Sequence, residues 1–186
     1  MKYISLSLIV LFYIFFFLRA IILSRKIGKS IKAKDVVLNI AIISASISSV
    51  IFILKKTLPN SEVYTLTIGD SIGFEIVGTI LIGIGLLFST IASLNLGRSW
   101  RVGVNNSEKT ELITKGIYKF SRNPYFLFYD IVLIGLSLSS QSILVIVFSL
   151  TTISMFHILI LKEEKYLENV HGGEYIKYKK QTRRYF

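Results

Sequence analysis

The apolar residues of this chain come in long unbroken blocks, and that constrains the fold more than any other feature. The blocks run roughly over 3–23, 36–54, 72–94, 125–139 and 142–161. Runs of about 18 or more apolar residues read as membrane-spanning helices, because only a helix satisfies its own backbone polar groups inside hydrocarbon. A soluble core would interleave its apolar residues with polar ones, and these 186 residues do not (mean hydropathy +0.61). The expected fold is all-α: a polytopic membrane protein of about five transmembrane helices, read as one domain over 1–186. Within it, 1–95 holds three spans and 96–186 a connector, a helical hairpin and a tail.

The fourth block is short, and SLSSQS (137–142) leaves room only for a tight turn, so blocks four and five form an antiparallel hairpin. The first block is long for a signal peptide, carries Arg19 near its end and lacks a small-x-small cleavage site, so it reads as a retained helix. Gly73, Gly78, Gly83 and Gly85 in the third block suit close helix approach.

The net charge of +11 would suggest nucleic acid in a soluble protein. Here the cations crowd beside the spans, in 24–35, 95–123 and the tail beyond 162, while 55–71 and 137–142 hold few or none. The positive-inside rule then sets the amino terminus outside and the carboxyl terminus in the cytoplasm, as an odd number of spans requires. No nucleic-acid partner is expected. There is no cysteine, and His157 and His171 are too few for a histidine-rich metal centre, so no metal is expected either.

Polar chemistry is confined to three pieces on that basic side. They are the connector 96–118 with the single tryptophan, Trp100; the stretch GIYKFSRNPYFLF (116–128); and the end of the fifth block with Glu163 and Glu164. Aromatics at 118–129 could form a plain interfacial belt, and Arg122 before Asn-Pro could merely snorkel to phosphate. Two adjacent carboxylates at a helix carboxyl terminus are disfavoured by the macrodipole, so either the helix continues or the pair holds a cation. His157, inside the last block, is an intramembrane ionisable group.

In order and spacing these pieces resemble the isoprenylcysteine carboxyl methyltransferases and the related small membrane phospholipid methyltransferases. The carriers are Leu96-Gly97-Arg98-Ser99-Trp100, then Leu112 to Tyr118 with its Leu-Ile-x-x-Gly-x-Tyr pattern, then Ser121-Arg122-Asn123-Pro124. Glu163-Glu164-Lys165-Tyr166-Leu167 and Gly172-Gly173-Glu174-Tyr175 follow after the hairpin. The resemblance covers about 90 residues of the carboxyl-terminal half and implies a methyltransferase using S-adenosyl-L-methionine at the cytoplasmic edge of the last helices. It implies that Asn105, Thr110, Glu111, Leu112, Ile113, Tyr118, Asn123, Pro124, Tyr125 and Phe126 line the cofactor pocket, with Glu163, Glu164 and Tyr175. Arg122 and Glu163 are the expected catalytic pair. Glu163 would meet the ammonium, Arg122 and backbone N–H groups the carboxylate, and tyrosines the sulfonium and adenine. Tyr175, Tyr178, Arg183 and Arg184 would close the pocket. The partners implied are a lipophilic or prenylated substrate and membrane lipid.

The chain departs from the family pattern at Asn123 (often His), Phe126 (Tyr), Phe128 (Gly) and Leu159 (an arginine in the eukaryotic prenylcysteine enzymes). Two other readings stay open at this point: a non-enzymatic membrane protein, and a membrane reductase that would hold a nicotinamide phosphate on Arg183–Arg184.

Overall fold

The structure is a computed structural model that describes residues 2–28, 33, 35–58, 66–100 and 111–185. Among the described residues there are six α-helices: α1 (Lys2–Ile27), α2 (Val36–Thr57), α3 (Ile72–Leu96), α4 (Pro124–Ser140), α5 (Ile143–His171) and α6 (Gly173–Gln181). Short 3₁₀ turns at Gly97–Ser99 and Gly116–Lys119 flank the connector. Of these helices α1, α2, α3 and α5 are long and apolar enough to cross a membrane, and α4 is shorter. At 1.5 Å per residue its 17 residues reach about 25 Å, less than the roughly 30 Å of hydrocarbon.

Helix α4 is tied to the rest of the bundle at one end. Its far end turns at Gln141, in the left-handed region (φ 49°), and is stitched to the α2–α3 loop. Ile68 N donates to Gln141 O (3.0 Å), Ile143 N to Leu66 O (2.8 Å) and Ser71 N to the Gln141 side-chain oxygen (2.9 Å). The missing length is therefore all at the other end, beneath 111–123. There α3 and α5 extend past it and leave a recess.

Glycines bring α3 and α4 together. A Cβ on Gly135 would lie 2.7 Å from Gly78 O, and one on Gly85 2.7 Å from Phe128 O. Gly73 and Gly83 make no such approach. Phe128, where the family pattern has glycine, thus still sits in a close crossing: Gly85 on α3, lacking a side chain, provides the room, and the Phe128 ring stacks on Phe88 at 4.8 Å. The α2–α5 seam is held instead by serines, Ser44 Oγ donating to Phe148 O (2.8 Å) and Ser48 Oγ meeting Ser149 Oγ (2.9 Å). Leu159, at 1% exposure, is core beside Phe12, Leu133 and Leu136.

Helix α1 presents Val10, Leu11, Ile14, Phe17, Leu18 and Ile22 outward, as a lipid-facing helix should. It joins the bundle through Ile9, Phe12, Phe16 and Arg19. The α2 start is capped by Asp35, whose Oδ1 accepts from Val37 N (2.7 Å) and whose Oδ2 pairs with Lys162 of α5 (2.7 Å). The apolar part of α5 ends at Leu161, and the helix continues as a polar rod to His171 before Gly172 (φ 52°) breaks it.

Candidate functional site

The recess above α4 is a cleft whose walls come from almost every polar piece singled out in the sequence. Leu96, Ser99 and Trp100 close one side; Glu111, Leu112, Ile113 and Tyr118 close the second. Arg122, Asn123, Tyr125 and Phe126 form the floor, and Glu163, Leu167, Tyr175 and Tyr178 the far wall. Asn105 and Thr110 lie outside the described residues.

Local sequence explains the walls. Asn123 starts α4 with Pro124 at the first helical position, where a missing N–H costs nothing. Pro124 is buried there, and it does not line the cleft. Gly116 (φ 63°) permits the turn that carries Tyr118, because the Asn95 side chain occupies the space any Cβ would need and accepts from Ile117 N (3.3 Å). Tyr178 OH donates to Tyr118 O (2.6 Å), locking α6 over the turn.

The adjacent glutamates diverge, as a 100° step on one helix dictates. Glu164 is buried and absent from the cleft lining. Its Oε1 accepts from Arg122 Nη2 (2.9 Å), Arg122 Nε (3.2 Å), Asn123 Nδ2 (3.2 Å) and Arg184 Nε (3.1 Å); its Oε2 accepts from Arg184 Nη2 (2.9 Å). Burial opposes its charge, but the hydrogen bonds from Arg184 and Arg122 outweigh that and hold its carboxyl below the usual range. Arg122 also donates from Nη1 to Thr182 O and Lys179 O. The sequence reading gives Arg122 to a bound carboxylate and Glu164 to the ligand. The structure turns them onto each other, since a buried carboxylate needs cations and these two lie nearest. Arg122 N further binds Arg183 O (2.9 Å) and Ser121 Oγ donates to Arg184 O (3.0 Å), so residues 182–185 form a strap across the base of the cleft. Arg184 is thus committed to Glu164 rather than held open for a nicotinamide phosphate.

Glu163 is the contrasting case. Its side chain is half-buried in the cleft wall, and no hydrogen bond reaches its carboxylate among the described residues. Burial first, and the charge of Glu164 second, raise it to about 7. Burial also pushes the Tyr175 hydroxyl to about 12 and Tyr118 well above its ordinary value. Among the described residues, the cleft therefore offers an unmatched carboxylate surrounded by aromatic faces. That donor set suits a cation carrying an ammonium and a sulfonium. The cleft is partly open, with a volume of about 70 Å³.

Behind the cleft lies a second cavity of about 330 Å³, lined by Phe12, Phe16, Ala41, Ala45, Tyr129, Phe156 and their neighbours. Trp100, Tyr125 and Phe126 line both spaces and form the partition between them. Among the described residues, no acid or imidazole is on the wall of the apolar cavity.

Sequence reasoning missed several features. It noted Trp100 as the single tryptophan and as the end of the Leu96–Trp100 motif but gave it no place in the site, and it passed over Asn95, whose role depends on the turn 22 residues away. Asp130, with a buried Oδ1 that finds no hydrogen bond, also went unmarked inside an apolar run. His157 faces outward, its Nδ1 2.6 Å from Tyr185 OH.

Comparison with known proteins gives two matches. The sequence model described as phospholipid methyltransferase matches residues 74–174. A protein-S-isoprenylcysteine O-methyltransferase of Saccharomyces cerevisiae is 28% identical over 157 residues, 82% of this chain. The chain spans 61% of that protein's length.

Proposed function

Because the chain belongs to the phospholipid methyltransferase family, we infer that it is an integral-membrane enzyme that moves a methyl group from S-adenosylmethionine to a lipophilic acceptor. One observation carries the reading: a carboxylate unmatched among the described residues, in an aromatic cleft that shares a wall with an apolar cavity. When bound, S-adenosylmethionine supplies an electrophilic methyl group on a sulfonium.

The chain's part is to hold, orient and keep dry. Glu163 receives the ammonium, which also relieves its own uncompensated charge. Trp100, Tyr125 and Phe126 turn aromatic faces toward the positive end, an attraction worth more once water is excluded. Helix α6 holds Tyr175 and Tyr178 at the cleft wall, and the strap 182–185 ties the tail to Ser121 and Arg122 at its base. The apolar cavity takes the hydrocarbon of the acceptor, so that donor and acceptor meet across the partition. Fixing two reactants in near-attack geometry removes much of a transfer barrier without covalent help. A carboxylate acceptor needs no base, whereas an amine needs a proton acceptor, and among the described residues the apolar cavity's wall offers neither acid nor imidazole. An isoprenylcysteine-type carboxylate is favoured on that ground. The cleft faces the cytoplasm, with the amino terminus outside, as the cation-rich loops direct.

The test is transfer of isotopically labelled methyl from S-adenosylmethionine to lipid-extractable product. It uses purified protein in vesicles with an S-isoprenylcysteine or phosphatidylethanolamine. Label in either product supports the reading. A folded protein that labels neither these nor a total membrane-lipid extract refutes it.

A further inference from the structure

Away from the cleft, an apolar groove on the α4–α5 face leads to Asp130. The groove holds about 330 Å³ and is lined by Phe74 of α3, Ile134 and Leu138 of α4, and Ile146, Leu150 and Ile153 of α5, among others. It shares no lining residue with the cleft or with the apolar cavity behind it. Phe74, Ile134 and Leu150 are exposed, so the groove opens outward, where the bilayer lies.

The two helical stripes that line it continue toward the basic end of the bundle. Asp130 lies one turn from Ile134 and His157 one turn from Ile153, so each stands on the face that forms the groove. Tyr185 of the strap joins them. Its hydroxyl is 2.6 Å from His157 Nδ1, its ring stacks on the imidazole at 6.2 Å, and the Asp130 charge is felt at its hydroxyl. The groove thus acquires a polar head four residues short of Leu161, where the apolar part of α5 ends.

Within that head, Asp130 is unmatched. Its Oδ1 is buried without a hydrogen bond, and no cation pairs with it among the described residues. The Tyr185 hydroxyl is engaged with His157 instead. Protonation does not remove the need for a partner, since a protonated carboxyl is a donor as well as an acceptor. An ionisable group in a span is a functional-site candidate that calls for a named partner. This one must bring positive charge and N–H donors to Asp130 and hydrocarbon to the groove. We propose that this face binds a phospholipid with a primary ammonium headgroup, its ammonium on Asp130 and an acyl chain along the groove. A quaternary ammonium has the charge but no N–H, and an anionic headgroup is repelled. The order of preference is therefore phosphatidylethanolamine, then phosphatidylcholine, then phosphatidylglycerol. The site stands whether or not the chain transfers methyl groups.

Native mass spectrometry of delipidated protein in detergent, titrated with these three lipids at matched acyl chains, reads the first lipid bound. Wild type should half-saturate with phosphatidylethanolamine at about tenfold lower concentration than with phosphatidylglycerol, the scale of one hydrogen bond to a charged group. Asp130→Asn should remove most of that preference. Ile134→Trp, at an exposed position, fills the groove and should weaken the first site for all three lipids. Equal binding of the three by wild type overturns the proposal. So does a preference that survives Asp130→Asn, or a first site that survives Ile134→Trp, because the lipid then lies elsewhere, as in the apolar cavity behind the cleft. The two variants act on opposite ends of the site, so if one fails to fold the other decides.

Discussion

Replacing Glu163 by glutamine should make the ligand-free protein more stable at neutral pH while removing its affinity for the cofactor. The carboxyl is raised from an ordinary 4.5 to about 7 because burial and Glu164 both oppose its charge. Between those values the unfolded chain releases a proton that the folded chain keeps. Stability is therefore full below about 4.5, falls as pH rises, and levels off above about 7. At about 1.4 kcal/mol per decade the gap amounts to about 3 kcal/mol for a fully buried group. Partial exposure to the cleft reduces this to ~1–2 kcal/mol. Glu164, held below its usual range, titrates at lower pH and does not cross this window. The assay is the thermal midpoint of wild type and Glu163→Gln in detergent at pH 5 and pH 8. The two should coincide near pH 5, with the variant higher at pH 8. A variant less stable than wild type at pH 8, or an offset unchanged across the range, refutes the argument that Glu163 carries an uncompensated charge.

The other predictions follow from single contacts. Affinity for S-adenosylhomocysteine should rise with pH up to about 7 and then level off, because its ammonium wants Glu163 ionised; titrations at pH 6 and pH 8 in buffers of different ionisation heat should show proton release at the lower pH. Gly135→Ala should cost about 2–3 kcal/mol, as overpacking does, since its Cβ would sit 2.7 Å from Gly78 O; a lowered thermal midpoint checks this. Gly116→Ala should cost about 1–2 kcal/mol for a non-glycine residue in the left-handed region. Asn95→Ala in the same chain should recover only the part due to collision. Arg184→Ala should loosen the strap while leaving Glu164 with Arg122 and Asn123, seen as faster amide exchange over 175–185.

Much of the fold was legible because it depends on local composition. Blocks of apolar residues announce helices in a membrane whatever packs against them, and Asn123-Pro124 and Gly172 announce where α4 begins and α5 ends. The cleft's lining was legible in outline because the resemblance carries residues in order, and Glu111 to Ile113, Tyr118, Asn123, Tyr125, Phe126, Glu163 and Tyr175 do gather around one space. What was not legible is which way a residue turns. Nothing in Glu-Glu says that the second is consumed by Arg122 and Arg184 while the first is left open. Likewise, Phe128 for glycine looks like a lost close approach until Gly85, 43 positions earlier in the chain, is seen to supply it. Arg19 illustrates the same limit: in sequence it ends an apolar run, and only the fold sets it over Trp100.

The most direct test of the cofactor site is calorimetric titration of the detergent-purified protein with S-adenosylhomocysteine, with Glu163→Gln alongside. The account predicts micromolar binding by wild type at pH 8 and none by the variant. Absence of binding by a well-folded wild type, or equal binding by both proteins, would contradict it.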